Sequence, residues 1–157
     1  MKQATLCLLV KPGEILLAMK KRSFGMGRWN GPGGKLDFGK GDKNIVDAVI
    51  RETKEEIGVL IKNPEKVGIL HFYFPHKEEW NQDVHLFLVK NWEGEPAESE
   101  EMSPKWFKTS EIPYEKMWDD DKYWLPHVLS GKKLEADFIF REGDIIEKHN
   151  VKIVEEI

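Results

Sequence analysis

Three glutamates crowd the end of one predicted helix. Glu52, Glu55 and Glu56 fall within a little over one turn, and like charges four residues apart destabilise a helix by roughly 0.2–0.5 kcal/mol. The negative end of the helix dipole disfavours the last two by about 0.3–1 kcal/mol each. A cation would offset this cost, and a hard divalent ion suits clustered carboxylate oxygens best. A solvated acidic face is the alternative, and the helix alone leaves both open.

A glycine-rich segment precedes this helix. Residues 23–34 contain five glycines, the last two being Gly33 and Gly34. Glycines let a backbone approach a ligand closely. Most glycine-rich loops are only turns, but next to three carboxylates this one favours a ligand site.

The helix itself has clear signals at both ends. Asn44 is a good N-cap and Gly58 a good C-terminal stop, which predicts a helix ending at Ile57. At 100° per residue we expect the glutamates on a face about 120° from the core face. The predicted core face consists of Val46, Val49, Ile50, Thr53 and Ile57.

Strand patterns surround this helix on both sides. Residues 36–38 predict a short extended piece, and residues 91–103 predict an acidic loop. A second helix is predicted at 119–129, with Asp119 as its cap, and Pro126 should kink it or end it early. The predicted strands are 4–10, 15–19, 59–61, 66–74, 84–89, 105–107, 134–140 and 145–154. Interleaved strands and helices predict an α/β fold, one domain over 1–157 with a mixed sheet between helices.

Composition excludes several classes of protein. The 24 basic and 28 acidic residues give a net charge of −4, which argues against binding duplex DNA by bulk charge. No apolar run approaches the ~20 residues of a membrane span, and the run at 5–10 is too short for a signal peptide. The single cysteine, Cys7, is expected in the core of a strand. We therefore expect a cytoplasmic monomer that binds neither membranes nor duplex nucleic acid.

The acidic helix and its glycine resemble the Nudix box. Residues 51–59 read Arg-Glu-Thr-Lys-Glu-Glu-Ile-Gly-Val, and Gly34 stands for the upstream glycine. This sequence departs from the box in three ways: Lys43 stands where the box has its lone glutamate, the preceding loop is three residues longer, and Thr53 replaces an apolar residue. Asp42 is a neighbouring carboxylate that could substitute.

The resemblance extends over nearly the whole chain. It is similar to the oxidised purine nucleoside triphosphate hydrolases, the nucleotide-pool sanitising branch of the Nudix superfamily. Pro32 and Gln82 depart from that branch, where an aromatic and an apolar pocket residue are found. The matching segments are 19–22, 27–31, 83–85, 98–102 and 117–124.

This resemblance implies a Nudix fold and Mg²⁺-dependent hydrolysis, with Mn²⁺ as a possible substitute. The substrate would be a purine nucleoside triphosphate, 8-oxo-dGTP first and 2-oxo-dATP as another candidate, cleaved to monophosphate and pyrophosphate. Glu56 is the expected general base and Glu52 the alternative, because only geometry separates them. Glu100 is the near alternative to Glu101 in the metal site. The implied metal ligands are the Gly33 carbonyl, Glu52, Glu55, Glu56 and Glu101.

The same resemblance implies the substrate contacts. Lys20 would meet the phosphates as a point charge, and Trp118 would stack on the base. Asn30, Asp120 and Asp121 would match its hydrogen-bonding edge, with one acid of the pair protonated. The full implied set is Thr5, Lys20, Phe24, Asn30, Gly34, Phe72, Trp118, Asp120 and Asp121.

Two other functions fit the sequence less well. Pro32 and Gln82 would also suit a Nudix hydrolase acting on another nucleoside diphosphate-linked substrate. Lys43 and the longer loop would suit a non-catalytic nucleotide-binding module, although all three box glutamates are present.

Overall fold

A computed structural model describes residues 1–157 as ten strands and two α-helices, with short 3₁₀ turns between them. The strands are β1 (Lys2–Lys11), β2 (Glu14–Lys20), β3 (Trp29–Asn30), β4 (Leu60–Lys62), β5 (Glu65–Tyr73), β6 (Gln82–Val89), β7 (Asn91–Glu93), β8 (Met102–Lys108), β9 (Lys133–Arg141) and β10 (Ile145–Val154). The helices are α1 (Ile45–Ile57) and α2 (Asp121–Leu129). Neither helix has the length and apolar character needed to cross a bilayer.

Eight strands form one mixed sheet. Its order is β10-β9-β5-β6-β1-β2-β3, with β8 also paired to β2. The β1–β6 and β5–β9 pairs are parallel and the other pairs are antiparallel. Strands β4 and β7 form a separate two-stranded sheet.

The two helices cover opposite faces of the large sheet. Along β1, Leu6 and Leu8 pack in the cluster that contains α2 residues, whereas Cys7 and Leu9 pack in the cluster with α1 residues. This alternation follows from the two-residue period of a strand. The predicted mixed sheet between helices is therefore confirmed. Burial raises the pKa of the Cys7 thiol to about 12, which agrees with its predicted place in the core.

Helix α1 has the predicted ends. The Asn44 side chain accepts a hydrogen bond from the Asp47 N–H, and Gly58 adopts a left-handed φ of 77° after the last turn. The predicted core face is wrong in two places: Val46 is 38% exposed, and Glu56 is only 4% exposed. Seven residues advance a helix by about 700° and four by about 400°, which places Glu56 about 20° from Val49 and about 40° from Glu52, at the edge of the core face.

Four other local predictions are wrong at least in part. Of residues 36–38, Asp37 is extended but Phe38 is not, because the Asp37 side chain caps a 3₁₀ turn at Phe38–Lys40. Part of the predicted loop at 91–103 is strand, since β7 pairs with β4 and β8 already begins at Met102. Helix α2 continues through Pro126 to Leu129 because its buried face packs in the core. Asp119 does not cap it, as its carboxylate accepts the Ile146 N–H instead.

An ionic network joins three strands of the sheet. His71 on β5 contacts Asp83 Oδ1 on β6 through Nδ1 at 2.6 Å and Glu135 Oε1 on β9 through Nε2 at 2.9 Å. Burial acts to lower the pKa of His71, but its hydrogen bonds to the two carboxylates outweigh burial and raise it. Folding therefore favours the imidazolium form of His71 relative to the unfolded chain.

We predict that His71→Gln destabilises the fold most at mildly acid pH. Because the folded-state pKa is raised, the stabilisation is complete below the ordinary pKa of about 6.5 and is lost as pH rises through the folded value. The free energy of unfolding should fall by about 1–2 kcal/mol at pH 6 and by less at pH 9. Urea denaturation at both pH values measures this, with His127→Gln as a control. An equal loss at both pH values would contradict the assignment.

Candidate functional site

A cavity of about 250 Å³ opens between the sheet and α2. Its size suits one flat ring system, since pockets for drug-sized ligands are usually about 300–1,000 Å³. All nine of the predicted substrate contacts line it. They are Thr5, Lys20, Phe24, Asn30, Gly34, Phe72, Trp118, Asp120 and Asp121.

Aromatic rings form one wall of the cavity. Trp118 lies 5.0 Å from the ring of Phe24 and 5.8 Å from that of Phe140, centroid to centroid. Phe140 and Phe74 stack at 4.8 Å. Sequence reasoning missed Phe140 and Trp124 as cavity residues. The period-2 pattern of β9 was the available signal for Phe140, because Leu134, Ala136, Phe138 and Phe140 share one buried face.

Two adjacent acids lie at the end of this cavity. Asp120 and Asp121 are 2% and 3% exposed. Trp124 Nε1 donates to Asp120 Oδ2 at 2.7 Å, whereas Asp121 Oδ2 is buried without a hydrogen-bond partner. Burial raises the pKa of both acids, and the neighbouring charge of Asp120 raises that of Asp121 further. The pair thus favours an ionised Asp120 beside a protonated Asp121, with one polar atom left for a ligand.

The polar groups at the other side of the cavity already form some hydrogen bonds within the protein. The Thr5 hydroxyl lies 3.1 Å from both the carbonyl oxygen and the amide nitrogen of Gly34, so it fixes the glycine loop. Asn30 Oδ1 accepts the Gly31 N–H at 2.9 Å, which leaves the Asn30 amide nitrogen free to donate.

The two glycines of the loop permit close contact with α1 and β1. A Cβ atom on Gly34 would lie 2.3 Å from Glu52 Cδ, and one on Gly33 would lie 2.0 Å from the Thr5 carbonyl oxygen. Any side chain at either position would displace the backbone or the carboxylate. These contacts connect the cavity to the acidic end of α1.

One guanidinium organises that acidic end. Arg51 binds both carboxylate oxygens of Asp42, at 2.9 and 2.7 Å, and contacts Glu52 at 2.9 Å and Glu55 at 3.2 Å. Asp42 also accepts the Asp37 N–H. The longer loop thus supplies Asp42 as a carboxylate partner for Arg51, next to Lys43, which stands where the motif has its glutamate.

Glu56 and Glu101 complete the acidic cluster. Burial raises the pKa of Glu56 to about 8, against the opposing effects of the Gly33 N–H and Lys20. Glu101 lies 3.6 Å from Lys20 Nζ and 3.3 Å from Arg22, whereas Glu100 contacts only Arg22. Apart from Glu56, the acidic side chains are thus paired with cations, and the cluster does not form a preassembled group of three metal ligands.

Comparison with known proteins identifies the family. A profile of the NUDIX domain matches residues 1–128, most of the chain. The chain belongs to the Nudix family. It is 44% identical over 156 residues to the oxidized purine nucleoside triphosphate hydrolase of Danio rerio, across 99% of this chain and 97% of that protein. The protein of the same name from Mus musculus is 42% identical, across 96% and 94%. The crystal structure of a MutT protein from Bacillus halodurans has a TM-score of 0.84 at 28% identity, covering 97% of this chain and 98% of that one.

Nudix hydrolases generally need a divalent metal ion, and the acidic cluster fits one. Its potential donors are all oxygens, as a hard divalent ion prefers. Glu56 is buried near Glu52 and Glu101, and the mutual repulsion of these carboxylates raises the Glu56 pKa beyond what burial alone does. A bound cation would relieve that repulsion.

We predict that Glu56→Gln stabilises the metal-free protein increasingly as pH rises. The folded-state pKa is raised, so wild-type stability falls between about pH 4.5 and about pH 8 as only the unfolded chain releases its proton. The Tm advantage of the variant should grow over that range and then level off. Thermal melts in chelator at pH 5, 7 and 9 measure it, with Glu55→Gln as the exposed control. A pH-independent difference would contradict the assigned burial.

We also predict that Asp42→Ala destabilises the fold far more than Lys43→Ala. Removing Asp42 leaves the Arg51 guanidinium partly buried without its bidentate partner, whereas Lys43 is exposed. The expected losses in free energy of unfolding are about 3 kcal/mol and under about 0.5 kcal/mol. Urea denaturation measures both. Similar losses for the two variants would show that Asp42 does not hold the loop.

Proposed function

We propose that this Nudix hydrolase cleaves oxidised purine nucleoside triphosphates to the monophosphate and pyrophosphate. The candidate substrates are 8-oxo-dGTP first and 2-oxo-dATP second. The observation that carries the proposal is the buried Asp120–Asp121 pair at the end of a base-sized cavity. The names of the zebrafish and mouse relatives support the same substrate class.

The acid pair can read a purine edge in two ways. An ionised Asp120 accepts hydrogen bonds from ring and exocyclic N–H groups, whereas a protonated Asp121 donates to a carbonyl oxygen or ring nitrogen. Moving the shared proton would exchange these roles, so one cavity can take two oxidised purines. Asn30 adds a donor from the β3 side, and Phe24, Phe72 and Trp118 provide apolar contact area.

The phosphates would lie between the cavity and α1. The groups proposed to hold Mg²⁺, or Mn²⁺ in its place, are the Gly33 carbonyl, Glu52, Glu55, Glu56 and Glu101. When bound, the ion neutralises phosphate charge and lowers the pKa of water. Lys20 reaches the same region, since it contacts Glu101 and lines the cavity.

Glu56 is the proposed general base and Glu52 the alternative. A general base must be ionised to accept the proton of the attacking water. Burial raises the pKa of Glu56, and a bound cation would favour its ionised form. Water would add to phosphorus, the bond to the departing pyrophosphate oxygen would break, and the carboxylate would take the proton. A neighbour orients each candidate: Arg51 contacts Glu52 at 2.9 Å, and Glu56 accepts the Gly33 N–H at 3.3 Å.

We further propose that the protein acts as a cytoplasmic monomer on free nucleotides. Such nucleotides are small anions, and local cations suit them: Lys20 and Lys35 line the cavity, and the bound ion would add its charge beside the phosphates. The net charge of −4 disfavours duplex nucleic acid and anionic membranes as partners.

A nucleotide panel tests the proposed activity. With Mg²⁺, kcat/KM for 8-oxo-dGTP should exceed that for dGTP, ADP-ribose and dinucleoside polyphosphates by at least tenfold.

Two variants test the assigned roles in the same assay. Glu56→Gln should lose about 10²–10⁴-fold in kcat. Asp120→Asn should change the ratio of kcat/KM between 8-oxo-dGTP and 2-oxo-dATP while the dependence on metal stays unchanged. Equal turnover across the panel would exclude the sanitising role. Nucleotide binding without pyrophosphate release would indicate a binding module instead.

A further inference from the structure

Trp118 is held at the cavity by a partner from a distant loop. The Arg28 guanidinium lies over the indole, with its central carbon 4.2 Å from the ring centroid. In the same loop, a Cβ atom at Gly25 would lie 3.2 Å from Trp118 Nε1. Gly25 and Arg28 therefore both lie against one aromatic side chain of the cavity wall.

Arg28 is in turn fixed by the turn between β9 and β10. Its Nη2 lies 2.8 Å from Asp144 Oδ2, and both side chains are less than one-third exposed. Asp144 adopts a left-handed φ of 59°, a conformation that glycine and asparagine accept more readily than aspartate. The turn thus carries a charged residue at a position where backbone energy alone would favour glycine.

A second contact docks the same turn beside Trp118. The Ile146 N–H donates to Asp119 Oδ2 at 3.0 Å, and Asp119 directly follows Trp118 and precedes the buried acid pair. The start of β10 therefore contacts the residue after Trp118, and the adjoining turn contacts the arginine that lies over its indole. This turn lies beyond the residues that the Nudix profile matches.

We propose that Arg28 and Asp144 are positioning residues for the base: together they orient Trp118 so that the cavity binds a purine. This inference rests on the proposed function, because it takes the cavity as the base site. Arg28 acts through Trp118 by a cation–π contact, and Asp144 acts through Arg28 by orienting the guanidinium. The pair therefore governs affinity for the base and leaves the hydrolytic groups on α1 unaffected.

Binding of the proposed products tests this without requiring turnover. The probe is 8-oxo-dGMP, titrated calorimetrically into the full chain with Mg²⁺ present, and inorganic pyrophosphate serves as the base-free comparison. Arg28→Gln and Asp144→Gly should each raise the Kd for 8-oxo-dGMP by about fivefold to tenfold and leave pyrophosphate binding unchanged. The double variant should be no worse than either single variant, since both break one unit.

Three controls separate positioning from folding. Asp144→Gly relieves the left-handed residue, so its Tm should hold or rise while its affinity falls. Asp144→Asn keeps the backbone preference and an acceptor oxygen and should recover part of the affinity. Glu93→Gln breaks the Lys62–Glu93 pair, whose strands contribute nothing to the cavity, and should bind like wild type.

The outcomes distinguish the two proposals. Tight wild-type binding with unchanged Kd values in Arg28→Gln and Asp144→Gly would overturn the positioning role alone. Equal weakening of 8-oxo-dGMP and pyrophosphate binding would also overturn it, because the effect would not concern the base. Wild-type protein that binds no purine monophosphate would overturn both this inference and the assignment of the base site.

Discussion

The acidic end of α1 depends on the contact between one guanidinium and three carboxylates. Arg51 binds Asp42 from the preceding loop and Glu52 and Glu55 from its own helix. It thereby offsets charge repulsion that would otherwise accumulate at the negative end of the helix dipole. Glu56 gains nothing from this arrangement, because it is buried beneath the glycine loop with a raised pKa. Glu56 is thus a buried carboxylate whose ionised form a bound cation would stabilise.

The glycine loop connects the acidic end of α1 to the cavity. Gly34 hydrogen-bonds to Thr5 and lies against Glu52, and a side chain at Gly34 would collide with the Glu52 carboxylate. Burial acts in the same direction at both places: it favours a shared proton at Asp120 and Asp121 and raises the pKa of Glu56 at α1. A cation bound at α1 would reverse this at Glu56 by favouring the ionised carboxylate. One mixed sheet, with a helix on each face, carries both ends.

Local signals predicted much of the fold. The bounds of α1 followed from Asn44 and Gly58, because capping is decided within a few residues. The place of Glu56 could have been found from the same helical arithmetic, yet it was grouped by charge with its neighbours. Strand β7 could not be predicted, because three residues carry no period and its partner β4 lies 30 residues away.

The candidate site was predictable only in part. The cavity residues came from the resemblance rather than from spacing, since they lie on β1, β2, β5, the glycine loop and α2. The bidentate Arg51–Asp42 contact depends on the path of the longer loop. Asp119 bonds to the distant Ile146 N–H because tertiary contact outweighs local capping.

Calorimetric titration of Mg²⁺ or Mn²⁺ into the full chain tests the central claim most directly. The account predicts saturable uptake that strengthens when a purine nucleotide is present, with proton release near neutral pH as Glu56 ionises. Absence of uptake of either ion, with and without nucleotide, would contradict the assignment of the α1 carboxylates to a metal.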